Sequence, residues 1–109
     1  MASKVKPRVK VPKKAEKGEV IEIKTLISHK MESGQRRDKD GNTIPRQIIN
    51  HFVCTYNGEV IFEADWHGAV SANPYMAFRT VAIESGELVF TWTDDDGSVY
   101  TTTAKIEVA

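Results

Sequence analysis

Three histidines, three methionines and a single cysteine are the residues of this 109-residue chain able to bind a soft metal or attack an electrophile. His29 and Met31 stand two apart in SHKMESGQRR, Ser28 to Arg37, so an extended backbone projects both to one side, and imidazole with thioether suits Cu(I). No HxH, CxxC or HxxxH spacing supports them, and Met1 is only the initiator. A small copper-handling sandwich using His29, Met31, Met76 and one more His is therefore the alternative reading, and no metal or cofactor is expected. Cys54 has no partner for an internal disulfide. In IINHFVCTY it shares phase with Ile48, Phe52 and Tyr56, which makes it a small core hydrophobe. A reactive thiol or a link to another chain is the rival reading, yet His51 falls on the opposite strand face and no CxxC is present. Ser28 beside His29 is not how a triad is built, and neither a nucleophile elbow nor a phosphate loop nor a dinucleotide fingerprint occurs. TDDDG lacks the alternating ligands and distal Glu of a calcium loop, and reads as a polar turn that keeps a sheet edge soluble. What remains is a binding module without an active site.

For binding, the chain offers Arg36, Arg37 and Arg46, whose forked donors match carboxylates, together with Trp66 and Tyr75, residue types favoured at interface hot spots. Trp66, in ADWHGAVSANPY, reads equally as an exposed anchor or as a lid over one end of the domain. His51 is expected to face outward from a strand and His67 to belong to the turn in DWHG.

The elements that must position these residues follow a period of two. GEVIEIKTLI sets Ile21, Ile23, Thr25 and Ile27 on one face and Glu22 and Lys24 on the other. Two alternating runs flank Asn57-Gly58, a dipeptide that tolerates the positive φ angles of a type I′ turn, and so predict a hairpin. GELVFTW and SVYTTTAKIEV alternate likewise around DDDG, with Gly97 free to turn left-handed. With an edge strand near Arg8 to Val11 and another in PYMAFRTVA, about seven short strands and no long helix result. The economical solution is an all-β, immunoglobulin-like antiparallel sandwich, although the Cys…Trp…Cys marker is missing. Residues 28 to 47 run without strand or helix pattern, long enough to imply function or disorder, and RRDKDGNTIP has the composition of a hairpin extension with Asp40-Gly41 at its tip. An ordered contact surface is expected there.

The apolar fraction of 40% and charged fraction of 28% fit one folded domain and argue against wholesale disorder. Formal net charge is zero, yet residues 1 to 17 carry a net +6 and the remainder −6. Residues 1 to 6 read as a basic lead-in and residues 7 to 109 as the sandwich domain. Pro7, Val9, Val11 and Pro12 punctuate the early charges as an edge strand would, and no aromatic is interleaved to stack on bases, so no nucleic-acid arm is expected. Neither a signal peptide nor a membrane span is visible.

PRVKVP, LISHKMESGQRRD, GNTIPRQIINHFVCTYNG, SANPYMAF and FTWTDDDGSVY together resemble the SoxZ family of sulfur-oxidation proteins, from about Lys6 to Ala109. The resemblance implies an Ig-like sandwich that forms a heterodimer with SoxY, the subunit whose cysteine carries thiosulfate-derived sulfur between Sox enzymes that dock transiently. This chain would be the non-catalytic half of that carrier. Cys54 lacks the mobile glycine-rich surroundings of a carrier cysteine and does not match it. The resemblance also implies a periplasmic address, reached by export with the partner. On this reading the segment from His29 to Arg46 is a recognition element, with Met31 giving soft apolar contact and Arg36, Arg37 and Arg46 offering forked donors to carboxylates on SoxY or on visiting enzymes and also favouring an anionic thiosulfonate.

Overall fold

A computed structural model describes residues 5–29, 31, 32, 34, 35, 37–66 and 74–109, and these contain strands and no helix. Eight strands follow one another: β1 (Pro7–Lys10), β2 (Lys14–Ala15), β3 (Val20–Ile27), β4 (Ile49–Tyr56), β5 (Glu59–Asp65), β6 (Tyr75–Val81), β7 (Gly86–Asp94) and β8 (Val99–Val108). They form a three-stranded sheet in the order β1-β3-β6 and a five-stranded sheet in the order β2-β8-β7-β4-β5. Every pairing is antiparallel except that of β2 with β8. The expected sandwich is present, with one strand more than about seven. The addition is β2, whose two residues are too few to show any period.

Alternation explains the layering. In β3, Ile21, Ile23, Thr25 and Ile27 are buried while Val20, Glu22, Lys24 and Leu26 face out. In β4, Phe52, Cys54 and Tyr56 point inward as their shared phase requires. The two sheets meet through aromatic rings. Phe62 of the larger sheet stacks on Phe78 of the smaller with ring centroids 4.6 Å apart, and Phe52, beside Trp92 within the larger sheet, meets Phe78 edge-on at 6.3 Å. Such ring pairs add roughly 0.5–1.5 kcal/mol each beyond the area they bury.

The β4–β5 hairpin turns on Asn57 (φ 50°) and Gly58 (φ 86°), the two positive values that a type I′ turn demands. Asn57 does more than turn the chain. Its Oδ1 accepts from the Glu87 amide at 3.0 Å, and a Cβ on Gly86 would lie 1.8 Å from that oxygen, so a larger residue at 86 would displace the Asn57 side chain from its hydrogen bonds. At the start of the chain Val5 packs against the core and the Lys6 carbonyl accepts from the Ser28 amide, so the lead-in is tied to the sandwich from there onward.

Candidate functional site

Between β3 and β4 the described residues form a hairpin arm. Its stem closes where Glu32 and Gln47 exchange two backbone hydrogen bonds of 2.8 Å, and a further bridge joins Arg37 to Thr43. At the tip Asp38 Oδ1 accepts from the amides of Asp40 and Asn42, and Gly41 takes φ 83°, placing the Asp40-Gly41 turn where composition put it. Gly34 is required for a second reason: at φ 85° it lies so close to Arg46 that an added Cβ would sit 2.9 Å from the Arg46 Cβ. The described residues from Gln35 to Thr43 are all exposed, and the molecule measures 59 Å along its longest axis against 24 and 18 Å across.

What fixes the base of this arm is the acidic turn after β7. Asp94, fully buried, receives the His29 Nε2 at 2.6 Å and the Tyr100 hydroxyl at 3.3 Å. The other ring nitrogen of His29, Nδ1, accepts from the Met31 amide at 2.8 Å. That acceptance leaves the ring proton on Nε2, so His29 donates to the carboxylate. Burial raises the Tyr100 pKa, and the adjacent Asp94 and Asp96 carboxylates add to the effect, so the phenol stays a donor. Asp95 holds the returning strand. Arg46 meets it bidentately at 2.8 and 2.8 Å, Asn50 Nδ2 donates at 2.9 Å and the Ile48 amide at 3.1 Å. Partial burial pushes the Asp95 carboxyl up, but the bonds from Asn50, Arg46 and Ile48 outweigh it and hold the pKa below the usual carboxylate value. Asp96 accepts from Gln47 at 3.2 Å. A shallow cleft of about 410 Å³ remains between stem and turn, lined by Glu32, Ile44, Pro45 and Arg46 on one side and Asp95 and Asp96 on the other. The turn read as a solubility device is thus the receptor for the arm.

This geometry revises several expected roles. His29 and Met31 do not project into solvent: they are 7% and 5% exposed, because the first completes the Asp94 pair and the second, at φ 51°, turns its sulfur inward to accept from the Ile49 amide at 3.3 Å. What these two residues do is fix the base of the arm. A copper site would have to take donor atoms already engaged in these bonds, and no group of three His, Cys, Asp or Glu among the described residues is placed to hold a metal. His29 and Asp94 also do not form a catalytic dyad, since Nε2 faces the carboxylate and Nδ1 faces backbone, leaving neither nitrogen for a nucleophile. Cys54 has no exposed surface, and burial drives its thiol up to about 12.

Arg37 is exposed and donates to the Gly41 carbonyl at 3.2 Å, closing the tip, and Arg46 is half exposed beside Asp95. Arg36 and His67 lie outside the described residues. Trp66, half-buried, stacks on Phe52 at 6.0 Å with rings 13° apart. Tyr75 stands 60% exposed at the start of β6. His51 faces outward between two carboxylates, Asp65 at 2.7 Å and Glu63 at 2.8 Å. The Asp65 bond raises its pKa above the ordinary histidine value against the opposing effect of burial, with Glu63 assisting.

The comparisons with known proteins agree with this architecture. The family model described as "Sulphur oxidation protein SoxZ" matches residues 9–105. The chain belongs to the SoxZ family. That membership places it in sulfur oxidation, within the SoxYZ system. Among curated proteins no significant match to the sequence was found. Similar solved structures include the sulfur carrier protein SoxY from Chlorobium limicola f thiosulfatophilum, at TM-score 0.65 and 14% identity over 94% of this chain and 78% of that one. A superoxide reductase (neelaredoxin) from Ignicoccus hospitalis aligns at TM-score 0.71 and 14% identity over 94% and 80% of the two chains. A putative superoxide reductase from Thermotoga maritima aligns at 0.72 and 14% over 94% and 85%. At such identities these neighbours speak for the sandwich fold of this chain alone.

Proposed function

We propose that this SoxZ-family chain is the non-catalytic subunit of a sulfur carrier, binding and presenting a SoxY subunit on which the covalent sulfur intermediate is carried. The observation that carries the reading is the engagement of its potentially reactive side chains: Cys54 is sealed in the core and both His29 nitrogens are held by Asp94 and by backbone. A thiol raised to about 12 supplies negligible thiolate at neutral pH and has no path to a substrate. A rigid sandwich with a pinned, protruding arm suits holding another polypeptide. The arm serves as a recognition element, with Arg37 at its tip, Arg46 at its base and Arg36 beside Arg37 in sequence, all forked donors for carboxylates on SoxY or on visiting enzymes. The assembly works in the periplasm, exported together with the partner.

The test replaces Arg36 and Arg37 by Ala in the co-purified heterodimer and measures both assembly and thiosulfate-dependent turnover. Loss of turnover with assembly intact assigns the arm to visiting enzymes, and loss of assembly assigns it to SoxY. Wild-type values for both would remove the arm from the account.

A further inference from the structure

The outer face of the three-stranded sheet combines two properties that the rest of the described surface does not. Four of the seven exposed large hydrophobic residues stand on it: Val20, Leu26, Tyr75 and Val81. They sit as cross-strand pairs at its two ends, Leu26 opposite Tyr75 and Val20 opposite Val81. Between and beside these pairs the outward positions are Arg8, Lys10, Lys24 and Arg79 against Glu22 alone, a local net charge of +3 on a chain whose net charge is zero. Only Lys24 is compensated, by Glu22 at 3.7 Å, while Arg8, Lys10 and Arg79 form no ion pair with a described residue. A groove of about 240 Å³ runs over Val9 and Thr25 with Arg8, Lys10 and Lys24 along it and Leu26 and Tyr75 at its end.

Among the described strands β6 is also the last of its sheet, so one edge of this face lacks a neighbouring strand. Aromatic and aliphatic anchors ringed by unpaired arginine and lysine are the make-up of a protein interface. A single aromatic offers no stacking platform for nucleic acid, and the aliphatic pairs at the ends would have no role against phosphates.

We infer that this face, outside the arm, is where the partner subunit docks, and that the partner meets it with carboxylates set around an apolar centre. The carboxylates pair with Arg8, Lys10 and Arg79, and the apolar centre covers Leu26 and Tyr75. The outer face of the larger sheet, which presents threonines such as Thr101 and Thr103, stays in solvent in the heterodimer. The identity of the partner as SoxY rests on the function proposed above, whereas the face and its chemistry rest on the positions of these side chains.

The experiment is calorimetric titration of purified SoxY into the 109-residue chain, at low and physiological salt, with wild type, R8E/K24E, Tyr75→Ala and Thr101→Glu. All four positions are exposed, and circular dichroism with thermal melting verifies that each variant folds. The expected result is wild-type binding that weakens with salt, a loss of about tenfold or more for R8E/K24E and for Tyr75→Ala, and a change within about twofold for Thr101→Glu. Wild-type binding retained by R8E/K24E and Tyr75→Ala would overturn the face while leaving the carrier function standing. No binding of SoxY by the wild type would overturn both, and uptake of a single-stranded oligonucleotide that R8E/K24E abolishes would give the face to nucleic acid instead.

Discussion

His29 and Asp94 show how much one buried contact governs. Removing the imidazole leaves a fully buried carboxylate with Tyr100 at 3.3 Å as its remaining side-chain donor, and losing a hydrogen bond to a buried charged group costs about 1.5–3 kcal/mol. His29→Ala is therefore expected to lower the unfolding free energy by that amount, read in urea as a lower midpoint at unchanged slope. A cost below about 1 kcal/mol would show that the pair does not hold the arm. Asp95 makes a graded comparison. Losing Arg46, half exposed, is expected to cost at most about 1 kcal/mol, whereas Asp95→Ala strands the Ile48 amide and Asn50 as well and is expected to cost about 1–3 kcal/mol. Because the folded Asp95 pKa is depressed, its stabilisation is present above the unfolded value near 3.9 and disappears as pH falls through the folded value. An NMR titration following the Asp95 carboxyl and the Ile48 amide checks this, both moving together below the usual aspartate range. His51 has the opposite sign. Its raised pKa contributes stability that is complete below 6.5 and is lost as pH rises through the folded value, so melting curves across neutral pH should lose that dependence in His51→Gln.

At the scale of elements, the strands announced themselves and the arm's attachment did not. The β4–β5 hairpin was legible because a turn residue pair and two alternating runs are local signals, and Cys54 could be assigned to the core from phase alone. The acidic turn was not legible. Its partners lie 45, 49 and 65 residues away in sequence, and three aspartates in a row look the same whether they face water or receive an arginine, an amide and a histidine. Met31 misled for a related reason: spacing gives the side on which a residue lies, but not whether a positive φ turns its side chain inward. Trp66 kept two readings open because no local pattern shows its stacking on Phe52, a contact that leaves the ring half-buried. Gly34 tests the arm as a unit. Gly34→Ala must carry a side chain at φ 85° and drive it against Arg46, and the left-handed cost alone is about 1–2 kcal/mol. Hydrogen exchange should quicken at the Glu32 and Gln47 amides while the β4 and β7 amides keep their protection, since the arm opens without the sandwich.

Across the whole molecule, the proposed function asks three things: rigidity from the sandwich, reach from the pinned arm, and a place to be held on the cationic sheet face. None of the three needs a reacting group on this chain, which is the physical content of calling it a holding subunit. The measurement that tests this most directly is native mass spectrometry of the assembly purified from thiosulfate-fed cells, followed by peptide mapping of sulfur adducts. The account predicts a one-to-one pair with SoxY, sulfur adducts confined to the SoxY chain and an unmodified Cys54. An adduct on Cys54, or this chain recovered alone and converting thiosulfate, would contradict it.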